Sequence, residues 1–344
     1  MKRQSNQTIL ATVVLVFAIL ACNSSAPDTV TEPPASQPPA TELGVPSTES
    51  SGAPPTEVIE HQVFPVNLPE SRSGHAGDYD SSVTADQKMS NGGDRFTFER
   101  FERPFNANTM DVYFPELDIL DTFTYQDDLW VFGTIQVVDR SAAKSSPYRF
   151  AVQIDTEVDG KGDYLVIAEN PTSTDWTTDD VQVYFDTNND VGDLTAMFTD
   201  ENSVSDGFET IVFDQGKGDD SDFAWVRVSP QDSNTVEFAI KRSVLGSSAQ
   251  YMVDMWTGHA LLNPATFDLS DHFTHDQAGA ADPGLPNYYP IKAVFELDNT
   301  CRMAVGFQPT GYEPGVVRTT HSQTGRTGTS CMHCFTTSNR ILRA

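Results

Sequence analysis

The sequence is poor in positively charged residues. It contains 21 Lys and Arg against 49 Asp and Glu, so its formal net charge is −28. Nucleic-acid binding needs a basic surface, and anionic lipid head groups repel an acidic one. The composition therefore excludes nucleic acid as a partner and the protein surface itself as a membrane contact. Such a charge suits either solubility or divalent-cation binding, and the clustering of the acidic residues must decide between them.

Cysteines and catalytic motifs are also scarce. Apart from Cys22, the cysteines are Cys301, Cys331 and Cys334, an odd number whose pairing stays open. Cys331 and Cys334 form a C-x-x-C that lacks the second ligand pair of a zinc site. The sequence has no G-x-S-x-G, H-E-x-x-H, Walker or G-x-G-x-x-G motif. No catalytic residue is assigned, although an acidic pair for general acid–base hydrolysis stays open.

The first 21 residues have the anatomy of a secretory signal. Lys2 and Arg3 precede an apolar run over residues 9–21, which is too short for a good membrane-spanning helix. The four residues Ile19-Leu20-Ala21-Cys22 resemble the lipobox of bacterial lipoproteins. The resemblance implies cleavage before Cys22 and attachment of acyl chains such as palmitate to that residue. It also implies an extracytoplasmic protein that its lipid holds at the bacterial membrane or outer surface.

The composition changes twice along the rest of the chain. Residues 22–93 are rich in Pro, Ser, Thr, Glu and Gly at their two ends and poor in residues that could be buried, which predicts a disordered tether. Residues 314–344 contain four arginines and no Asp or Glu, and they read as an irregular basic tail. The folded domain is therefore predicted at residues 94–313.

Short apolar or alternating runs separated by Asp, Asn, Gly and Pro fill the predicted domain. Residues 129–138, 148–154, 163–168, 223–228 and 235–240 are examples, each of strand length and rich in β-branched and aromatic residues. No stretch shows a sustained helical period. The pattern predicts an all-β fold, a single antiparallel β-sandwich of jelly-roll-like type.

Acidic loops between these strands are the best candidates for a metal site. The stretch from Asp155 to Asp163 carries acids at its first, third and fifth positions and then Gly160, as calcium loops do. A second such loop starts at Asp186, and a third acidic turn covers residues 214–222. Hard oxygen ligands favour Ca²⁺, although Asp, Asn and Gly are also the ordinary residues of turns. The predicted ligands are Asp155, Glu157, Asp159, Asp163, Asp186, Asn188 and Asp190.

Three aromatic residues in polar loops are candidates for ligand binding. Trp176 lies among Ser, Thr and Asp residues, and Tyr288 and Tyr289 lie between prolines. Sugar rings stack on exposed aromatic side chains in such settings. The alternative for Trp176 is a loop plug packed on the end of the domain. Trp130, Trp225 and Trp256 lie in apolar runs and are predicted to be buried.

The stretch from Glu102-Arg103-Pro104-Phe105 through Tyr113-Phe114-Pro115 to Asp159-Gly160-Lys161-Gly162-Asp163 resembles the family 9 carbohydrate-binding modules and DOMON-like β-sandwiches. The resemblance covers residues 95–310. It implies a sandwich that binds sugar or haem, often with calcium as a structural ion. We therefore expect a membrane-anchored binding lipoprotein that binds glycan or another extracellular ligand without catalysis. An extracellular hydrolase and a purely structural surface protein are the alternatives.

Overall fold

The computed structural model describes residues 58–91, 96, 99–142, 147–192, 207–267, 269–280, 290–310, 313 and 316. All of these residues belong to one compact unit, residues 57–344. Its strands are β1 (Arg72–Gly77), β2 (Glu102–Arg103), β3 (Ile119–Gln126), β4 (Trp130–Val137), β5 (Arg149–Asp155), β6 (Tyr164–Glu169), β7 (Val181–Phe185), β8 (Thr210–Asp214), β9 (Lys217–Gly218), β10 (Ala224–Val228), β11 (Thr235–Lys241), β12 (Tyr251–Gly258), β13 (Leu297–Asn299) and β14 (Met303–Val305).

The strands form two antiparallel sheets. The first sheet has the order β1-β3-β4-β11-β10, and the second has the order β2-β13-β12-β5-β6-β7-β8-β9, with β14 also paired to β12. The described helices are two single turns, α1 (Leu269–His272) and α2 (His275–Ala278), and short 3-10 turns such as Arg242–Leu245. The prediction of an all-β fold is confirmed.

Alternation along the strands sends side chains to two different clusters. In β4, Val131 and Ile135 enter the largest apolar cluster, whereas Trp130 and Phe132 point to the opposite face. Residues of β5 and β12 enter the same largest cluster from the second sheet. The sheets approach closely at Gly133, where a Cβ atom would lie 3.0 Å from Met255 Cε. Both faces of the central strands are therefore buried, which explains why β4 reads as an almost continuous apolar run.

The outer face of the first sheet is covered by residues 58–69, which we call the strap. Val63 and Leu68 of the strap pack on Trp130, Phe132 and Trp225. Asp222 fixes the strap by accepting hydrogen bonds from His61 Nδ1 and from the backbone N–H groups of residues 62 and 63, each at 2.9 Å. This arrangement uses Asp222, a member of the third acidic turn, as a structural acceptor.

The folded unit includes residues that precede position 94, where the sequence predicted the domain to begin. The strap lies on the first sheet, and β1 pairs with β3 in that sheet with Ala76 fully buried. Residues 72–77 contain no run of large apolar side chains. Their strand conformation comes from backbone pairing at a sheet edge, which side-chain periodicity does not signal. The folded unit therefore reaches back to at least residue 58.

Candidate metal centre

The first two predicted acidic loops lie side by side, but the carboxylates of Asp155 and Asp186 accept hydrogen bonds from the backbones of their own loops. Asp155 accepts hydrogen bonds from the N–H groups of Glu157, Val158 and Gly160 at 2.6–3.1 Å. Asp186 accepts four from residues 188–191 in the same manner, at 2.7–3.1 Å. Burial raises the pKa of Asp155 to about 6 despite these bonds. Both carboxylates therefore act as turn-forming acceptors, the ordinary role of Asp in loops.

Direct contacts join the two loops. Lys161 Nζ donates to Asn189 O at 2.6 Å, and the N–H of Gly162 donates to Val191 O at 3.1 Å. Glu157 and Asp159 are exposed, and Asp163 accepts from Thr156. Oxygen atoms of Asp186, Asp190 and Glu209 lie within 4.8 Å of one another at the edge of the second loop. The structure thus brings together part of the predicted ligand set, Asp186 and Asp190, and adds Glu209, which the sequence did not suggest.

A different group of four carboxylates, three of them buried and Asp78 half-buried, lies where the edges of the two sheets meet. We call Asp78, Glu102, Asp118 and Asp298 the carboxylate cluster. Asp78 directly follows β1, Glu102 lies in β2, Asp118 directly precedes β3 and Asp298 lies in β13. Oxygen atoms of Asp78, Glu102 and Asp298 lie within 4.8 Å of one another. The cluster therefore joins strand ends of the first sheet to strands of the second.

The pairing of β2 with β13 forces two of these acids together. Glu102 stands opposite Asp298 in the antiparallel register, so their side chains share one face of the sheet. Like charges directly opposite each other destabilise a sheet even at the surface. Here the exposed fraction is 2% for Glu102 and 0% for Asp298. A buried pair of this kind requires protonation or a cation.

The polar neighbours of the carboxylate cluster donate hydrogen bonds to only some of its oxygen atoms. Ser81 donates from its N–H to Asp118 Oδ2 at 3.0 Å and from its Oγ to Glu102 Oε1 at 2.6 Å. The N–H of Ile119 donates to Asp298 Oδ2 at 2.7 Å. The second oxygens of the three acids, Glu102 Oε2, Asp118 Oδ1 and Asp298 Oδ1, are buried without a hydrogen-bond partner in the described structure.

The electrostatics of the cluster are those of crowded buried acids. Burial is the largest cause that raises the pKa of Asp78 to about 7 and that of Asp118 to about 8. Burial and then neighbouring carboxylates hold the pKa values of Glu102 and Asp298 well above their usual range. The guanidinium of Arg100 opposes the rise at Asp78. Four carboxylates and one guanidinium leave three negative charges if all the acids are ionised.

Such a group of side chains is suited to a hard divalent cation. Its ligand atoms are all oxygens, which Ca²⁺ and Mg²⁺ prefer, and it contains no described histidine or cysteine of the kind that zinc favours. Two ligands on opposite sides of one Ca²⁺ are separated by about 4.6–5.2 Å, twice the Ca–O bond. Oxygen atoms of Asp78, Glu102 and Asp298 lie within 4.8 Å of one another, which is close enough for one ion to contact all three.

The predicted ligand-binding tryptophan is packed rather than exposed. Trp176 is half-buried, and its Nε1 donates to Val66 O of the strap at 2.8 Å. The guanidinium carbon of Arg227 lies 4.3 Å from the centre of its ring system. Trp176 therefore holds the strap on the first sheet, because its aromatic face and indole N–H are both engaged. The alternative prediction of a packed loop plug describes it better.

Several predicted residues lie outside the described part of the chain. These are Cys22, Cys331, Cys334, Tyr288 and Tyr289. Cys301 is buried in the largest apolar cluster. Trp130, Trp225 and Trp256 are buried, as predicted.

Sequence reasoning missed the carboxylate cluster because its members are spread over 220 positions of the chain (78 to 298). A local signal exists for Asp118, which stands between Leu117 and Ile119, and for Asp298, which follows Leu297. An acid inside an apolar run is unusual because buried carboxylates are rare unless they are paired. That signal was obscured by the denser acids of the loops.

No family model, no curated protein and no solved structure matches this chain. Among the described residues no helix is both long enough and apolar enough to cross a membrane. The functional assignment therefore rests on the geometry of the site and on the sequence features.

Proposed function

We propose that this protein is an extracytoplasmic calcium-binding lipoprotein whose Ca²⁺ is held by the carboxylate cluster. The observation that carries the proposal is the set of three buried oxygens without a partner, on Glu102, Asp118 and Asp298. Leaving a buried acceptor unsatisfied costs about 1–3 kcal/mol, and more if it is charged. One cation at this position supplies the missing partner for several of these oxygens and offsets their charge.

The burial of the cluster favours an ion over an organic substrate as its occupant. Glu102, Asp118 and Asp298 are at most 2% exposed, so a glycosidic or peptide bond could not reach them in this conformation. A general acid–base pair must lie within hydrogen-bond reach of its substrate. The inaccessibility of the three acids therefore supports a cation site more than hydrolysis, the alternative activity.

The cellular setting comes from the sequence. The lipobox-like ending at Cys22 and the Pro/Ser/Thr-rich stretch after it support a domain held outside the cytoplasm by a lipid anchor. Calcium sites of extracellular modules bind at about 10⁻⁴–10⁻³ M, and more carboxylate ligands give tighter binding. Binding of glycan or another extracellular ligand stays part of the proposal, on the resemblance alone.

Calorimetric titration of the chelator-stripped protein tests the calcium site. We expect Ca²⁺ to bind with one strong site and Mg²⁺ to bind more weakly, because the smaller ion demands shorter bonds. Glu102→Gln and Asp298→Asn keep the side-chain shape and should weaken binding at least about tenfold, the result of losing a charged ligand.

The matched control is Glu157→Gln in the first acidic loop, where the side chain is exposed. It should leave the titration unchanged. Absence of binding heat in the parent protein refutes the proposal. If Glu157→Gln no longer binds Ca²⁺ while Asp298→Asn still does, the calcium site lies in the predicted acidic loops and not in the carboxylate cluster.

A further inference from the structure

Residues 78–91, which we call the linking segment, connect β1 to the rest of the domain and contribute little apolar burial. Its fully buried side chains in the described structure are two serines, Ser81 and Ser90. Val83 is 63% exposed, and Ala85 packs only partly against a small apolar cluster. Segments with few buried apolar contacts open at low free-energy cost. Polar contacts must therefore contribute most of the free energy that docks the linking segment.

Those polar contacts converge on the carboxylate cluster. Ser81 donates one hydrogen bond to Asp118 and another to Glu102, while its Oγ accepts from the N–H of Asn91 at 2.8 Å. Asp78, the first residue of the segment, is itself a member of the cluster. The segment is thus attached at its first residue by a potential metal ligand and at its fourth residue by a serine bonded to two further acids.

The other members of the cluster belong to the body of the domain. Glu102 and Asp298 lie on paired strands of the second sheet, and Asp118 leads into β3 of the first. A cation bound by Asp78, Glu102 and Asp298 would pin the linking segment to the second sheet. Without it, mutual repulsion of the acids would act directly on the contacts that hold the segment.

We infer that calcium acts as a latch on the linking segment, so that the peptide between the anchored N-terminal part and the body of the domain resists proteolysis only when the ion is bound. This inference rests on the proposed calcium site. It adds a regulatory consequence, because a cut in residues 78–91 separates the part that carries Cys22 from β2–β14. The strap and β1 would then be held to the domain by non-covalent contacts alone.

Hydrogen exchange on the full-length chain, followed by mass spectrometry, measures the latch directly. We compare about 1 mM Ca²⁺ with excess chelator, the range in which extracellular sites load. Exchange in residues 78–91 should rise about 2- to 11-fold on chelation, the factor 1 + [Ca²⁺]/Kd for about 1 mM Ca²⁺ and a dissociation constant of about 10⁻⁴–10⁻³ M. Peptides from β4 and β5 should change far less. Papain, which tolerates chelators, should cut the same segment only in the calcium-free protein.

Two variants make the result specific. Asp298→Asn lies in β13, outside the linking segment, and should make exchange in residues 78–91 independent of calcium. Glu157→Gln should behave like the parent. If calcium binds with heat but exchange in residues 78–91 stays unchanged, or rises equally in all strands, the latch is overturned and the calcium site stands. If no calcium binds, the proposed function fails together with the latch.

Discussion

Replacing Glu102 by Gln should change stability in opposite directions with and without calcium. Gln can still accept from Ser81 Oγ through its carbonyl oxygen. Its amide group would stand where Glu102 Oε2 has no partner, close to the carboxyl oxygens of Asp78 and Asp298, and could donate to them. The substitution therefore converts a repelling acceptor into a donor without changing the size of the side chain.

The magnitudes follow from these contacts. In chelator, at a pH where the acids of the carboxylate cluster are ionised, removing one unsatisfied buried oxygen and its like-charge repulsion should stabilise the variant by about 1–3 kcal/mol. In calcium at 100 times the dissociation constant, the parent gains about 2.7 kcal/mol from the ion. A variant that no longer binds loses that gain, so its advantage disappears or reverses.

Urea unfolding followed by tryptophan fluorescence measures both values, because Trp130, Trp225 and Trp256 are buried. Glu157→Gln is the control and should show neither effect. Equal destabilisation of Glu102→Gln in calcium and in chelator would refute the reasoning, since Glu102 would then have only a packing role.

The raised pKa values in the carboxylate cluster also predict how stability and calcium binding depend on pH. The pKa values of Asp78, about 7, and Asp118, about 8, are raised in the folded protein by burial above the usual 3.8. The calcium-free folded state therefore binds more protons than the unfolded chain, and its stability falls as pH rises from about 4 to about 8. Calcium binding must displace these protons. The calcium-induced rise in melting temperature should therefore be small at pH 5 and largest near pH 8, and a constant shift across this range would contradict the assignment.

Three further substitutions test other parts of the structure. Asp222→Ala removes the acceptor of three hydrogen bonds from the strap, residues 58–69. It should lower the free energy of unfolding in urea by about 1–3 kcal/mol and speed proteolysis of the strap. If neither quantity changes, apolar packing alone holds the strap. Burial raises the pKa of Asp254 to about 8, so its contribution to stability falls as pH rises from about 4 to 8. The free energy of unfolding of Asp254→Asn should therefore depend less on pH than that of the parent. A curve parallel to the parent's would contradict this. Gly162→Ala places a Cβ atom 2.1 Å from Gln153 Nε2 and should lower the free energy of unfolding by about 1–3 kcal/mol. A melting temperature equal to that of the parent would contradict this expectation.

Strands were the easiest feature to predict because their signal is local. The run at residues 129–138 became β4 (Trp130–Val137), and the run at 163–168 became β6 (Tyr164–Glu169). In both cases β-branched and aromatic residues lie between turn residues, and the same residues also pack in the core. Local preference and tertiary packing agree there, so the sequence pattern was sufficient.

The strap and β1 could not be predicted in this way. Residues 58–91 contain scattered apolar side chains without a sustained period, and β1 (Arg72–Gly77) has the composition of a polar turn. Val63 and Leu68 gain their burial from Trp130, Phe132 and Trp225, which are distant in sequence. Their order is therefore a property of the assembled sheet.

In the candidate site, too, some features have a local sequence signal and others depend on contacts between distant residues. The acidic loops at Asp155 and Asp186 were visible in the sequence because their ligand-like spacing lies within nine residues, yet the structure shows both carboxylates bound to their own loop backbones. Asp118 and Asp298 were single acids in apolar surroundings, 180 positions apart. No local rule could show that they would meet.

The amino-acid sequence by itself determined the all-β class and many of the strands, and it predicts an acidic surface and lipid attachment at Cys22, because each depends on composition or on neighbours in the chain. Only the tertiary structure decided where the folded unit begins and which acids are buried together. The physical reason is that the pairing of β2 with β13, and the docking of residues 78–91 beside it, bring together carboxylates from four separate segments, three of which are shielded from water.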